Sequence, residues 1–173
     1  VPAIEILNQS AEVGMRHITL STSGIVSKID RLSDEKLQLT LAVSLHAPDD
    51  ETRSRIMPIN KKWPIEVLMK SLLAYYEKTK RRITIEYVML KGINDSIEQA
   101  KALGKLLRPL KCNINLIPYN PIGEAYGFKR PTNETIEAFQ DALYAECRKV
   151  ITTRMERGTD IAAACGQLAN QHQ

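Results

Sequence analysis

The chain has 173 residues, of which 43% are hydrophobic and 25% are charged, and its formal net charge is +4. This composition is typical of a globular domain and excludes a chain that is disordered throughout. The sequence has no apolar run of about 18 residues, as a membrane-spanning helix needs, and no basic-then-apolar leader at its start. We therefore expect a cytoplasmic protein without a membrane partner.

Five stretches rich in β-branched and aliphatic residues have the length of strands. They cover residues 18–23, 39–44, 83–90, 113–118 and 150–154. Apolar residues at helical spacing predict helices around these strands. The predicted helices cover residues 3–12, 26–36, 64–78 and 96–107, a stretch that starts near 133, and residues 160–168. For the helix at 96–107, Asp95 and Glu98 predict a start that resembles a capping box.

Alternating strands and amphipathic helices predict an α/β fold with a parallel sheet, because parallel neighbours need long crossover connections. Five such units are too few for an eight-stranded barrel, so a doubly wound sheet and a partial (β/α) barrel both stay open. No repeat or low-complexity tract divides residues 1–173, and we expect a single domain. Since the sequence starts at Val1 with a helical pattern, we expect it to be the later part of a longer protein.

Polar side chains lie in or directly after the carboxyl-terminal part of each predicted strand. In parallel α/β proteins ligands bind at the carboxyl ends of the strands, so these side chains are expected to line one cup. The set consists of Ser21, Thr22, Ser23, Ser44, His46, Glu86, Lys91, Asn94, Tyr119, Asn120, Thr153 and Arg154. Their hydroxyl, imidazole, carboxylate and amide groups suit a ligand with several hydroxyl, amino and carboxylate groups.

Each of these residues also has a structural interpretation. Ser21 and Ser23 could cap the following helix, and Asn120 precedes a proline in a common turn dipeptide. His46 has no second histidine or acidic metal partner close in sequence, so a metal site is not expected there. Glu86 could lie on a solvated edge or, in the interior of a barrel, face a ligand.

The three cysteines, Cys112, Cys147 and Cys165, are too widely spaced for a disulfide framework or a zinc motif. Cys112 begins a strand and Cys147 lies on the apolar side of a helix, which predicts two buried thiols. Cys165 has only alanine and glycine as near neighbours. The surrounding helix could pack closely on the sheet with an inert thiol, which is the commoner case, or leave the thiol accessible.

Six ordered segments carry a resemblance to a known family. They are ITLSTSG at 18–24, LAVSLHAPDD at 41–50, PIN at 58–60, EYVML at 86–90, NLIPYNP at 115–121 and AACGQL at 163–168. Together they resemble the RlmN family of radical S-adenosylmethionine methyltransferases, which methylate C2 of an adenine in 23S ribosomal RNA and, in bacteria, in certain transfer RNAs. The resemblance covers almost the whole chain and implies a parallel partial (β/α) barrel of the radical SAM type that lacks its first strands.

The resemblance also implies roles for individual residues. Those expected to contact S-adenosylmethionine are Ser21, Ser44, Leu45, His46 and Asn120. Cys165 is expected to be methylated during catalysis, which reverses the preference for an inert thiol. In the family's mechanism a radical derived from a second S-adenosylmethionine takes hydrogen from that methyl group. The carbon radical then adds to C2, and a second cysteine resolves the protein–RNA crosslink by forming a disulfide.

This chemistry requires a [4Fe–4S] cluster, which the superfamily binds on a C-x-x-x-C-x-x-C loop. The sequence has no such loop, so the cluster ligands, the resolving cysteine and an RNA-binding domain are expected upstream of Val1. The chain alone is then expected to be inactive. The implied partners are 23S ribosomal RNA, certain transfer RNAs and a reductase or flavodoxin-type electron donor.

Two alternatives stay open. A related methyltransferase modifies C8 of the same adenine and shares the methylated cysteine, so Cys165 does not separate the two enzymes. The chain could also be a non-catalytic, basic α/β domain that binds RNA or a partner protein, having lost the cluster-binding part.

Overall fold

A computed structural model describes residues 2–10, 12–35, 37–120 and 127–154. Strands β1 to β5 are Thr19–Thr22, Thr40–Ser44, Ile83–Met89, Cys112–Pro118 and Ile151–Thr153. Helices α1 to α6 are Pro2–Gln9, Val26–Asp34, Asp50–Ile56, Ile65–Thr79, Ile97–Leu107 and Asn133–Cys147. Short 3-10 helices cover Met15–His17 and Pro58–Lys61. The helix predicted at 160–168 lies outside the described residues.

The five strands form one parallel sheet in the order β1-β2-β3-β4-β5. Each new strand is therefore added on the same side of the previous one. A doubly wound sheet reverses its strand order at a switch point, whereas a (β/α) barrel adds strands in sequence. The sheet thus has the order of a barrel wall, which confirms the predicted architecture.

The two faces of the sheet differ in what covers them. One face carries the side chains of Leu41, Val43, Ile83, Ile85, Tyr87, Ile114 and Leu116, which share a single hydrophobic core with the buried sides of the helices. We call the opposite side the polar face; its side chains are mostly polar and mostly half-buried or exposed. It comprises Thr19, Ser21, Thr40, Ala42, Ser44, Thr84, Glu86, Val88, Asn113, Asn115, Ile117 and Thr152.

Two helix starts differ from the prediction. Helix α3 has no apolar period and was not predicted; Asp49 begins it by accepting a hydrogen bond from the Thr52 N–H at 2.7 Å. The predicted cap of α5 was wrong by one residue, because Ser96 and Gln99 form the capping box. Asp95 instead accepts a hydrogen bond from the Gly92 N–H at 2.8 Å. Along the described chain, no helix has the length and apolar composition to cross a membrane.

Gly104 marks a close approach of α5 to α6. A Cβ atom at this position would lie 2.6 Å from the Cβ of Glu146. Alanine normally stabilises a helix by about 1 kcal/mol relative to glycine, but overpacking costs about 1–3 kcal/mol. We expect Gly104→Ala to lower the free energy of unfolding, measured by urea denaturation. Lys101→Ala, at an exposed position of the same helix, should change it by less than about 0.5 kcal/mol; a more stable Gly104→Ala variant would contradict the packing argument.

Candidate functional site

In the loop after β2, a side chain replaces a backbone acceptor in the hydrogen-bond pattern of the sheet. The Leu45 N–H donates to the Glu86 carbonyl at 3.0 Å, which continues the pairing of β2 with β3. In a regular parallel ladder the Val88 N–H would bond to the Leu45 carbonyl next. It donates instead to Nδ1 of His46 at 3.1 Å, so the imidazole takes the place of a backbone acceptor. His46 itself has a left-handed backbone with φ of 60°.

This hydrogen bond determines the tautomer of His46, and the burial of the ring determines its charge. Because Nδ1 accepts from Val88, the ring proton of the neutral imidazole lies on Nε2. Burial, and then the positive charge of Arg53, lower the pKa of His46 to about 4. The side chain is therefore neutral near pH 7, with Nε2–H as a hydrogen-bond donor.

A fully buried arginine joins this loop to its surroundings. The side chain of Arg53, on α3, has 0% exposure. Its Nε donates to the Leu45 carbonyl at 3.1 Å, which occupies the acceptor that β3 leaves unused. The remaining bonds run from Nη1 to Asn60 Oδ1 (2.8 Å) and the Trp63 carbonyl (3.3 Å), and from Nη2 to the carbonyls of Ser23 (3.0 Å) and Ser44 (3.2 Å). All five N–H donors of a guanidinium are thus used.

The ends of β1 and α3 are shaped around that arginine. Gly24 has φ of +94°, and a Cβ atom there would lie 3.0 Å from Arg53 Nη2, so both conformation and space favour glycine. Asn60 donates through Nδ2 to Asp50 Oδ1 at 2.9 Å. The same Asp50 oxygen accepts from the Ile65 N–H at 2.8 Å, at the first residue of α4. One polar network therefore spans the strand ends and two helix starts.

A second buried polar side chain holds the other side of the loop. Asn94 has 0% exposure and donates through Nδ2 to the carbonyls of His46 at 2.8 Å and Val88 at 2.6 Å. Its Oδ1 accepts from the Leu90 N–H at 2.6 Å. The Tyr87 hydroxyl donates to the Asn94 carbonyl at 2.7 Å. Asn94 therefore fixes the backbone of the left-handed His46.

A row of polar side chains crosses the polar face at the level of Ser44. The pairing of Cα positions places Glu86 beside Ser44, Asn115 beside Glu86, and Thr152 beside Asn115. Asn115 Nδ2 donates to Glu86 Oε2 at 2.8 Å, and the Thr152 hydroxyl donates to Asn115 Oδ1 at 3.2 Å. We call Glu86, Asn115 and Thr152 the carboxylate row.

The structure brings together part of the predicted site. Ser44 and His46 lie with Glu86 and Asn94 around the β2 and β3 ends. Within the described ranges, no hydrogen bond links Ser21, which is exposed on β1, or Asn120, which is half-buried after β4, to this group.

Two further predicted residues need separate comment. The Leu45 side chain is buried in the hydrophobic core, and its N–H and carbonyl are both engaged within the protein. Cys165 lies outside the described residues.

Arg53 and Asn60 were not predicted from the sequence to support the site. Asn60 belongs to the PIN segment, which carried the resemblance without an assigned role. Arg53 lies in a run of charged residues on a short helix, and such runs are usually solvated. Its burial depends on carbonyl groups that come from distant parts of the chain.

The two cysteines in the described ranges have different environments. Cys112 is buried at the start of β4, and burial raises its pKa to about 12. Cys147 is half-buried on α6, where its Sγ donates to the Leu143 carbonyl at 3.1 Å. Among the residues that the structure describes, no group of three or more His, Cys, Asp or Glu side chains is arranged to bind a metal.

The sequence is similar to bacterial proteins named probable dual-specificity RNA methyltransferase RlmN. It is 49% identical to the Thermoanaerobacter protein and 51% identical to the Clostridium botulinum protein, each over 160 residues. These matches cover 92% of this chain and 46% of each relative, so the chain spans about half the length of the curated relatives it matches. No protein-family profile matches the chain.

The fold is similar to that of two solved structures. A radical SAM methyltransferase from Sphaerobacter thermophilus superposes with a TM-score of 0.90 and 47% identity, over 95% of this chain and 48% of that chain. A domain of a pyruvate-formate lyase-activating enzyme from Bacteroides vulgatus superposes with a TM-score of 0.65 and 17% identity, which reflects a shared fold alone.

Replacement of Arg53 tests the buried network. Arg53→Met removes five donors and leaves four buried or half-buried carbonyls and one amide oxygen without this partner. Unsatisfied buried polar groups cost about 1–3 kcal/mol each, so we expect a loss of at least about 3 kcal/mol in the free energy of unfolding. Urea denaturation measures the loss. Arg55→Met, at an exposed position of the same helix, should change stability by less than about 0.5 kcal/mol, and equal effects would refute the network's importance.

The lowered pKa of His46 predicts a pH dependence of stability. The pKa falls from 6.5 to about 4 on folding, so the unfolded chain binds the proton more readily. The corresponding stability is present above pH 6.5 and lost as the pH falls to about 4, with an upper limit of about 3 kcal/mol. Asparagine tolerates the left-handed backbone, so His46→Asn should remove this pH-dependent contribution to stability. Urea denaturation at a series of pH values measures it. His17→Asn should keep the wild-type dependence; an unchanged profile for His46→Asn would contradict the assignment.

Proposed function

The chain is homologous to the carboxyl-terminal part of RlmN-family proteins, and we propose that it contributes to an enzyme that methylates C2 of an adenine in RNA. The observation that carries the proposal is the loop after β2. It presents the Ser44 hydroxyl and a neutral His46 at the carboxyl ends of parallel strands, where α/β proteins bind ligands. About half of the residues are identical to those of proteins named as RNA methyltransferases.

The strand-end residues fit S-adenosylmethionine as a ligand. The residues proposed to form its binding site are Ser21, Ser44, Leu45, His46 and Asn120. Three of these side chains have hydroxyl or amide groups and His46 has an Nε2–H donor, which suit the ribose hydroxyls and adenine nitrogens of this ligand. When bound, S-adenosylmethionine supplies a methyl group on a positively charged sulfur atom. Leu45 would contribute indirectly, because its buried side chain and engaged peptide groups hold His46 in place.

Cys165 is proposed to carry the methyl group to the base. Adenine C2 lies between two ring nitrogens and is electron-poor, so it is a poor nucleophile towards a methyl sulfonium. A thiolate is a good one, which makes a cysteine a suitable first acceptor. Cys112 is unsuited because it is buried with a raised pKa of about 12, and Cys147 is half-buried on a helix side. Both observations support Cys165.

A [4Fe–4S] cluster does not fit the described residues. They contain no suitable ligand group, and the three cysteines of the sequence have no C-x-x-x-C-x-x-C spacing. We therefore assign cluster binding to the part of the relatives that this chain does not match, and expect the chain alone not to methylate RNA. The proposed partners are 23S ribosomal RNA, transfer RNA and a reductase or flavodoxin-type electron donor.

A hybrid protein tests the proposal. The chain replaces the matching part of the Thermoanaerobacter relative, and the hybrid is expressed in bacteria whose own enzyme has been deleted. Mass spectrometry of RNA nucleosides should detect 2-methyladenosine with the hybrid and none with its Cys165→Ala variant, because the methyl carrier is lost. Cys147→Ala is the matched control and should retain methylation.

The other outcomes are equally specific. Formation of 8-methyladenosine would refute methylation at C2 and identify a C8 methyltransferase instead. A soluble hybrid that contains its cluster and binds RNA but forms no methyladenosine would favour the non-catalytic domain. Methylation by the Cys165→Ala variant would refute the role of that thiol.

A further inference from the structure

The carboxylate row extends the candidate site across the polar face. Glu86 is the Cα partner of Ser44, and adjacent strands lie about 4.8 Å apart. Its carboxylate has a defined orientation, because Asn115 Nδ2 donates to Oε2 at 2.8 Å. The Thr152 hydroxyl engages Asn115 Oδ1 at 3.2 Å, which keeps the amide nitrogen pointed at the carboxylate. These contacts orient an acceptor beside a residue proposed to bind ligand.

The charge of Glu86 has no cationic partner in the described ranges. The ion pairs found there are Glu66 with Lys70, Asp34 with Lys78, Glu77 with Lys80, and Glu146 with Arg108. Glu86 is half-buried, so water compensates its charge only in part. The neighbours in the row, Asn115 and Thr152, are neutral and compensate the charge only through hydrogen bonding. The position is therefore complementary to a positively charged group.

S-adenosylmethionine has such a group in its sulfonium. We propose that Glu86 binds the sulfonium of S-adenosylmethionine and that Asn115 and Thr152 are positioning residues for the Glu86 carboxylate. This inference rests on the proposed function and adds a charge-recognising residue to the neutral groups of the loop. It explains why a carboxylate lies on the polar face between neutral side chains.

Equilibrium binding to the hybrid described above tests the inference without relying on activity. Glu86→Gln keeps an oxygen that accepts from Asn115 but removes the charge. We expect it to weaken S-adenosylmethionine binding at least about tenfold, since hydrogen bonds to charged groups contribute about 1.5–3 kcal/mol. Glu137→Gln, at an exposed position of α6, is the matched control and should bind as the wild type does.

S-adenosylhomocysteine tests the recognition of charge, because it has a neutral thioether in place of the sulfonium. We expect Glu86→Gln to leave the affinity for S-adenosylhomocysteine unchanged and to reduce the preference for S-adenosylmethionine. A fall of both affinities by the same factor would overturn the proposal.

The remaining outcomes separate this inference from the proposed function. A wild-type hybrid that is soluble, contains its cluster and fails to bind S-adenosylmethionine refutes the proposed function. Normal binding by a folded Glu86→Gln variant overturns the inference alone, and a loss confined to RNA binding assigns the carboxylate to the RNA instead. Should Glu86→Gln not fold, Asn115→Ala retains the charge but releases the carboxylate; it should weaken binding about threefold, and unchanged binding again overturns the inference.

Discussion

The hydrogen bonds of Arg53 are the constraint on which the rest of the site depends. A buried guanidinium is costly unless all of its donors are satisfied, and here five bonds end on the carboxyl ends of β1 and β2 and on the segment after α3. By taking the Leu45 carbonyl, Arg53 removes the acceptor that the Val88 N–H would otherwise use. The imidazole of His46 accepts the hydrogen bond from the Val88 N–H instead. Because a side chain replaces a backbone acceptor here, the ring is held as an oriented, neutral donor at the strand ends.

The asymmetry of the sheet gives the site its surroundings. The helices of the described ranges pack on one face, and their apolar sides share a core with alternate residues of each strand. The other face is free to carry polar groups, and β3 and β4 alternate between the two environments at every residue. This arrangement allows Glu86 and Asn115 to lie in mid-strand without disturbing the core, because their side chains point away from it.

The thiols illustrate how one residue type acquires different chemistry. Burial stabilises the protonated form of Cys112 and makes it a small apolar side chain. Cys147 uses its Sγ in a hydrogen bond to a carbonyl of its own helix. A methyl carrier needs the opposite properties, access and thiolate character, so the environments of these two thiols are consistent with a different cysteine serving that role.

Local patterns in the sequence determined the strands and most helices, since apolar periodicity identifies an element and the face it buries. This is why the β strands and helices such as α4 and α6 could be predicted, together with a cluster of polar residues at the strand ends. Tertiary structure decided what depends on distant groups: the burial of Arg53, the tautomer of His46 and the partners of Glu86. The hydrogen-bond partners of these residues lie outside their own neighbourhood in the sequence. Only the folded sheet brings their atoms within bonding distance.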